Sequence, residues 1–289
     1  MDVSFYVAAV LAFAPTLALM FVLLRPYTYP ATEHPYFNDA SFFMLFAIGL
    51  VAGTILFMVF TYIMAQVIYD ILYAVIQVLA VVVVMNLKRF RGKSDSLFYG
   101  YGFGLGAGCT TATGWIYFAG GKEVFAGGIG VAALAAVFIV ALAMILQFAS
   151  VGITAGEGIA RHNPMQFAVQ AMIYNVVFWA IFWIMLNNLK DNNEALYWMF
   201  AVFLLAISSL YLCYGFKKEV EPMVREVSRQ NAKKVRKHSE RSGPVAAVSR
   251  FVDVAIGEHL PQHLLRPLRL HFLDVLEGKL PVDAGEPLR

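Results

Sequence analysis

Side chains able to do acid–base, nucleophilic or metal chemistry are scarce in the apolar parts of this sequence. Between Ala40 and Leu87 the only charge is Asp70. The six histidines, His34, His162, His238, His259, His263 and His271, all fall outside the long apolar stretches, and no Glu occurs between Glu33 and Glu123. A zinc centre needs three or so ligands converging on one point, a carboxylate dyad needs two acids, and a serine nucleophile needs a basic partner. The apolar segments supply none of these sets, so the sequence predicts no metal, no cofactor and no catalytic residue in them. His259 and His263 are four apart, but Pro261 between them breaks the helix that such spacing assumes. Chemistry at a membrane surface would fall to Glu157, Arg161 and His162, and the plainer reading makes the last two positively charged anchors beside Pro164.

The remaining polar residues of the apolar segments are mostly neutral: Gln66 and Gln77 around Asp70, then Thr110, Thr111 and Thr113, then Gln147, Ser150 and Thr154, then Gln170 and Asn175. In hydrocarbon such groups serve chiefly as hydrogen bonds between helices. Asp70 lies near one end of its segment, from where its carboxylate is expected to reach the interface rather than to be buried. Cys109 and Cys213 lie in apolar surroundings and read as small packing residues.

These residues have to be carried by membrane-spanning helices. The chain has 289 residues, 60% hydrophobic and only 14% charged, against about 25% charged in soluble domains, which excludes a soluble globular enzyme. A net charge of +3 is too small and too localised for nucleic-acid binding. At about twenty residues per crossing, seven spans are expected: Val3 to Leu24, two within Ala40 to Leu87 with a turn near Thr61 to Gln66, Leu97 to Ala119, Gly130 to Ala155, Met165 to Leu189 and Ala195 to Phe216. Met1 and Asp2 give no basic leader region, so the first is expected to be a retained span. Lys88, Arg89, Arg91 and Lys93 follow span three, Arg161 follows span five, and Lys217 and Lys218 follow span seven. With Arg25 they fall on one side only if the count is seven, giving an N-out, C-in bundle. The expected fold is an all-α polytopic helix bundle, residues 1–216, in the cell membrane, followed by a cytoplasmic tail, residues 217–289.

Span four carries Gly100, Gly102, Gly104, Gly106 and Gly108, a small-xxx-small spacing on two adjacent helix faces; Gly49 with Gly53, and Gly152 with Gly156, repeat it. Small residues let backbones approach, which replaces the hydrophobic drive that lipid removes. No Lys-Ser/Thr follows Gly108, so this is no phosphate loop.

The run Tyr101-Gly102-Phe103-Gly104-Leu105-Gly106-Ala107-Gly108, continuing to Thr113-Gly114 and Tyr117, resembles the signature of PrsW-type intramembrane proteases, in which a Tyr-Gly, a Gly-x-Gly and a closing Tyr frame a Glu-Asn pair. Here Thr113 and Gly114 stand in place of that pair. Phe148-Ala149 with Gly152 and Gly156 is similar to the family's His-Ala segment, with Phe148 for His. Ala171 to Asn175 looks like its His-x-x-Tyr/Trp-Asn motif, keeping Tyr174 and Asn175 but with Ala171 for His. Of the opening Glu-Glu-x-x-Lys motif only Asp70 and Gln77 correspond. The resemblance covers roughly Tyr62 to Phe182. It implies a pseudoprotease: the scaffold of the family without its chemistry, in a superfamily that includes non-catalytic members such as a subunit of gamma-secretase. A groove walled by Gly-rich span four and by the Gln and Asn of span six would then hold a partner transmembrane helix or membrane complex.

From Lys217 to Arg241 the chain is basic, with Val220, Val224, Val227 and Val235 near one face, predicting a largely solvated amphipathic helix drawn to anionic lipid. After Ser242-Gly243-Pro244 come short apolar stripes too small for a core of their own. Three functions remain open: a non-catalytic membrane scaffold of PrsW-like descent, which leads; a transporter or channel in which Asp70, Gln77, Thr113 and Gln147 line a polar path; and an active intramembrane protease.

Overall fold

The computed structural model describes residues 5–28, 36–63, 67–87, 90, 94–120, 131–190, 193–229 and 233. The loop charges Lys88, Arg89, Arg91, Lys93, Lys122 and Glu123, together with Gln66, His34, and the tail beyond residue 233 with His238, His259, His263 and His271, lie outside the described residues. By packing, the chain divides into residues 1–224 and 225–289; of the second unit only 225–229 and 233 are described, as helix.

Among the described residues the first unit is all α-helical: α1 Phe5–Leu24, α2 Asp39–Ile63, α3 Val67–Met85, α4 Ser96–Gly120, α5 Val131–Ala160, α6 Pro164–Lys190 and α7 Glu194–Gly215, with a 3-10 turn Arg25–Tyr27 after α1 and a π-turn Phe216–Val220 after α7. Six of the seven, all but α4, are long and apolar enough to cross a membrane. α4 is 25 residues long, but its glycines, threonines and tyrosines lower its mean hydropathy. Its neighbours explain that composition. From Ser96 to Ile116 nearly every residue is buried, so α4 is enclosed by protein rather than lipid.

α4 is held on two sides by backbone contact. A methyl group at Gly100 would fall on the carbonyl oxygen of Gly152, and one at Gly152 on that of Gly100; Gly104 faces the Phe148 carbonyl and Gly108 the Ile145 backbone. This row therefore meets α5 antiparallel. The second row meets α2: Gly106 faces the Phe46 carbonyl, Gly102 lies under the Phe42 ring and Gly114 under the Phe57 ring, while from α2 Gly49 and Gly53 face the carbonyls of Phe103 and Ala107. The register runs in the same direction on both helices, so α2 and α4 are parallel. α1 crosses α4 the other way, with the Tyr101 hydroxyl donating to the Leu19 carbonyl at 3.2 Å and the Phe5 and Tyr117 rings in edge contact. α4 thus covers the same depth as helices that are apolar enough to span. Seven helices alternate in direction, as a hydrophobicity threshold alone does not reveal.

α3 and α6 complete the bundle as an antiparallel pair, Tyr73 beside Trp179 and Gln77 beside Asn175. The α5–α6 connection is tight. Asn163 N–H donates to the Gly158 carbonyl and His162 N–H to the Ile159 carbonyl, a Schellman closure, with His162 at a φ of 58° where glycine is usual. Pro164 then opens α6.

Because Gly152 meets backbone and not a movable side chain, Gly152→Ala forces α4 and α5 apart. The expected cost is about 1–3 kcal/mol, read as lowered thermal stability in detergent. Gly215 is the control: a methyl there meets Ile153 at an ordinary 3.4 Å on a helical backbone. Gly215→Ala is expected to be neutral or to stabilise by about 0.4–1 kcal/mol.

Candidate functional site

Two faces of α5 have opposite characters. Ile145, Phe148, Ala149, Gly152 and Gly156 lie against α4. About half a turn away, at successive spacings of three and four, are Gln147, Ser150, Thr154, Glu157 and Arg161, which form one stripe on a helix of 3.6 residues per turn. The first four are buried, between 0% and 3% exposed. The small-residue face must point to α4, because only there can backbones touch. The polar stripe is therefore turned into the space shared with α6 and α7.

At the Gln147 end of this stripe, near the middle of α5, three carboxamides converge from three helices. Asn175 of α6 donates to the Gln77 side-chain oxygen of α3 at 2.8 Å and to the Ala74 carbonyl at 2.8 Å, and its own oxygen faces Gln147 Nε2 of α5 at 3.4 Å. Trp179 Nε1 donates to the same Gln77 oxygen at 2.7 Å. Toward one end of the bundle the line continues along α3. Tyr73 lies close to the Gln77 amide but outside hydrogen-bonding geometry, and Asp70 is within electrostatic reach of its hydroxyl. Rings of Phe60, Tyr73, Trp179 and Phe182 pack here at centroid distances near 5 Å. Asp70 itself is 5% exposed. The expectation that it reaches the interface is corrected: placed in the first turn of α3, it points among protein groups.

The other end carries Arg25, Arg161, Lys217 and Lys218 and is called the basic end. There Thr154 donates to both oxygens of Glu219, at 3.2 and 3.1 Å, and its hydroxyl lies 3.0 Å from that of Tyr211. Arg161 Nε bonds Glu157 Oε1 at 2.7 Å. Three expectations change. α5 continues to Ala160 rather than ending near Ala155, which puts Glu157 inside the packed helix. Arg161 is not a free anchor but the partner of a buried acid. The segment expected to be a largely solvated amphipathic helix does keep Lys217 and Lys218 outside and turns Val220 inward, but the π-turn also tucks the acid Glu219 into the bundle, 3% exposed.

Together these groups form a buried polar file. Asp70 and Gln77 are seven residues apart on α3, and Gln147 and Glu157 ten apart on α5. With Asn175 joining the two segments, the file covers about 25 Å at about 1.5 Å of rise per residue, close to the roughly 30 Å of a hydrocarbon core. Four of its atoms have no hydrogen-bond partner among the described residues: Tyr73 Oη, Gln77 Nε2, Gln147 Oε1 and Glu157 Oε2.

Of the residues at PrsW-like motif positions, Asp70 and Asn175 belong to the file. Thr113 donates to the Cys109 carbonyl of its own helix at 2.9 Å, so it does not line the path expected for it. Gly114 lies under Phe57, Phe148 packs on Gly104 and Gly108, and Ala171 is fully buried. The expected groove for a partner helix is not formed by α4, whose glycine rows are filled by the chain's own α2 and α5. Thr110 and Thr111 do join helices, through the carbonyls of Leu50 and Gly53. Sequence reasoning missed Tyr73, Trp179, Tyr211 and Glu219. Tyr73 lies between Asp70 and Gln77 at helical spacing, and Trp179 is one turn beyond Asn175, a signal that was present; Glu219 is reached only through the π-turn. Among the described residues no three His, Cys, Asp or Glu come together as a metal site. No protein-family model, characterised protein or solved structure matches this chain.

Asn175→Ala removes the group that joins α3 to α5 and leaves Gln77 and Gln147 under-paired. It is expected to lower unfolding stability by about 1–3 kcal/mol, whereas Thr113→Val, which only releases a bond within one helix, is expected to change it by less than about 1 kcal/mol; chemical denaturation of both variants in the same detergent checks the contrast.

Proposed function

We propose that this chain is a multi-pass protein of the cell membrane that passes a small polar or charged species along the file from Asp70 to Glu157, without a catalytic site of its own. The observation that carries this reading is the continuous run of buried polar side chains, Asp70, Gln77, Asn175, Gln147 and Glu157, along which four atoms have no hydrogen-bond partner among the described residues. Each such group costs about 1–3 kcal/mol when left unmade, and polar residues kept at this expense inside a membrane protein mark pathways. The amides at the centre favour passage over reaction. Gln and Asn exchange hydrogen bonds but do not ionise, so they offer neither acid–base catalysis nor ligands that a zinc ion prefers. The basic end is assigned to the cytoplasm by its Lys and Arg, which leaves the N-terminus outside and sets the basic tail against anionic lipid.

A second reading, a non-catalytic scaffold of PrsW-like descent, is favoured by Tyr101, Gly102, Gly106, Tyr174 and Asn175 standing around replaced motif positions. Its partner helix would meet the outer surface of α3 and α6, since α4 is enclosed.

Proteoliposomes containing the full chain separate the two. Protons, K⁺ and glycerol are the probes. Flux of at least one above that of protein-free vesicles, returning to their level in Gln147→Leu and Asp70→Asn, is the outcome expected of a path. Flux no greater than in empty vesicles for all three, or flux that both variants leave unchanged, removes the path reading; a stoichiometric membrane partner recovered with the protein from its native membrane then establishes the scaffold.

A further inference from the structure

The basic end of the bundle holds two buried carboxylates and one guanidinium. Glu157 and Glu219 are each 3% exposed, and each lies within electrostatic reach of the other, with Arg161 near both. Both oxygens of Glu219 lie within 3.2 Å of the Thr154 hydroxyl, which has a single hydrogen to share between them. When Glu219 is ionised, Thr154 gives its hydrogen to Glu219 and the Tyr211 hydroxyl, 3.0 Å away, is left to donate to Thr154. Glu157 uses one oxygen for Arg161 and keeps Oε2 buried with no partner among the described residues.

We propose that Glu157 and Glu219 form a proton-binding site that holds one exchangeable proton on the pair. Charge and hydrogen bonding both call for it. With both acids ionised, two buried negative charges share one guanidinium that is itself half-exposed, and neighbouring buried like charges do not both stay ionised. One proton makes the group of three neutral, and at Glu157 it removes the charge from a carboxylate whose Oε2 has no donor among the described residues. A metal cation is the poorer occupant: the site offers two carboxylates and hydroxyls whose hydrogens are already directed, whereas hard cations take six or more oxygens.

The other titratable groups around the site do not replace this proton. Lys217 and Lys218, on the π-turn itself, are exposed. α7 contributes Tyr211 and Tyr214, and α6 contributes Tyr174, whose ring lies against Tyr211 at 4.3 Å. α4 presents Ser96, Leu97 and Gly100 to this end of α5, none of them ionisable, and its Tyr101 is engaged with the Leu19 carbonyl and the Phe216 ring.

The position of Glu219 gives the proton a consequence. The π-turn Phe216–Val220 is the junction at which α7 passes into the helical segment 221–229, and π-turns of this kind recur at functional positions. Loss of the proton leaves a net negative charge buried against this turn, so the pair couples protonation to the seating of the turn. The site does not depend on conduction through the file, because it is read by spectroscopy and not by flux.

The test is infrared difference spectroscopy of the full-length protein in lipid nanodiscs at neutral pH, in H₂O and D₂O. The expected result is a protonated-carboxyl C=O band that shifts on deuteration, disappears on raising the pH, and is lost in both Glu157→Gln and Glu219→Gln, since the neighbouring like charge is then gone while the Arg161 charge remains. Asp70→Asn is expected to leave the band in place. Thr154→Val keeps both acids and removes only a donor, and is expected to retain the band at a shifted frequency; it serves if either glutamine variant fails to elute as a folded particle. Absence of any protonated-carboxyl band in the wild-type protein, or a band that survives in both glutamine variants or vanishes in Asp70→Asn, overturns the proposal.

Discussion

Direct backbone contact between α4 and its two neighbours is the constraint from which the rest of the bundle follows. In lipid, side-chain hydrophobicity does not bring helices together, because the solvent is as apolar as the side chains. What remains is close packing, and glycine gives the closest. The directions in which Cβ atoms would project at Gly49, Gly53, Gly100, Gly104, Gly106, Gly152 and Gly156 each end on a carbonyl oxygen of the facing helix, the arrangement of Cα–H···O contacts that recur where helices touch. Two rows on one helix require two neighbours on different sides. α4 must therefore be interior, and an interior helix has no need of the apolar surface that lipid demands of the helices on the outside of the bundle.

The same contact fixes the rotation of α5. Once Gly152 and Gly156 are pressed onto α4, the opposite stripe from Gln147 to Glu157 has to face α6 and α7. Its polar atoms then meet Asn175 and, at the basic end, the π-turn after α7. A slip of one residue at the glycine interface would turn these polar groups toward other neighbours. Close packing on one face and the polar interior on the other are consequences of one rotational setting. They are therefore expected to fail together when a glycine contact is lost.

Two kinds of polar chemistry share the file. Its middle is neutral, built from amides and an indole that satisfy one another in part. Its ends hold acids, Asp70 among aromatic rings and Glu157 with Glu219 beside Arg161. Neutral groups can be buried at mid-depth at modest cost, whereas charge is tolerated where a counter-charge or a proton is at hand. The placement of Arg161, half-exposed beside a buried Glu157, is the point at which interior electrostatics and the basic membrane surface meet.

The sequence by itself determined the membrane class, the all-α character and the seven helices, because long apolar runs and their separation by charged loops are local properties of the chain. It also showed the paired glycine spacings in α2, α4 and α5, since these too are local periodicities. The tertiary structure decided what the spacings meet. Asp70 is buried because α3 turns its Tyr73 and Gln77 face toward α6, a rotation that no residue of α3 specifies alone. Glu219 is interior because a π-turn, which has no sequence signature here, bends it back onto Thr154 from 65 residues away. The groove expected beside α4 is filled because both glycine rows already have partners within the chain. Local pattern fixes which residues can lie on one face; only the simultaneous packing of several helices fixes what that face sees, because each helix's rotation is set by its contacts with all the others.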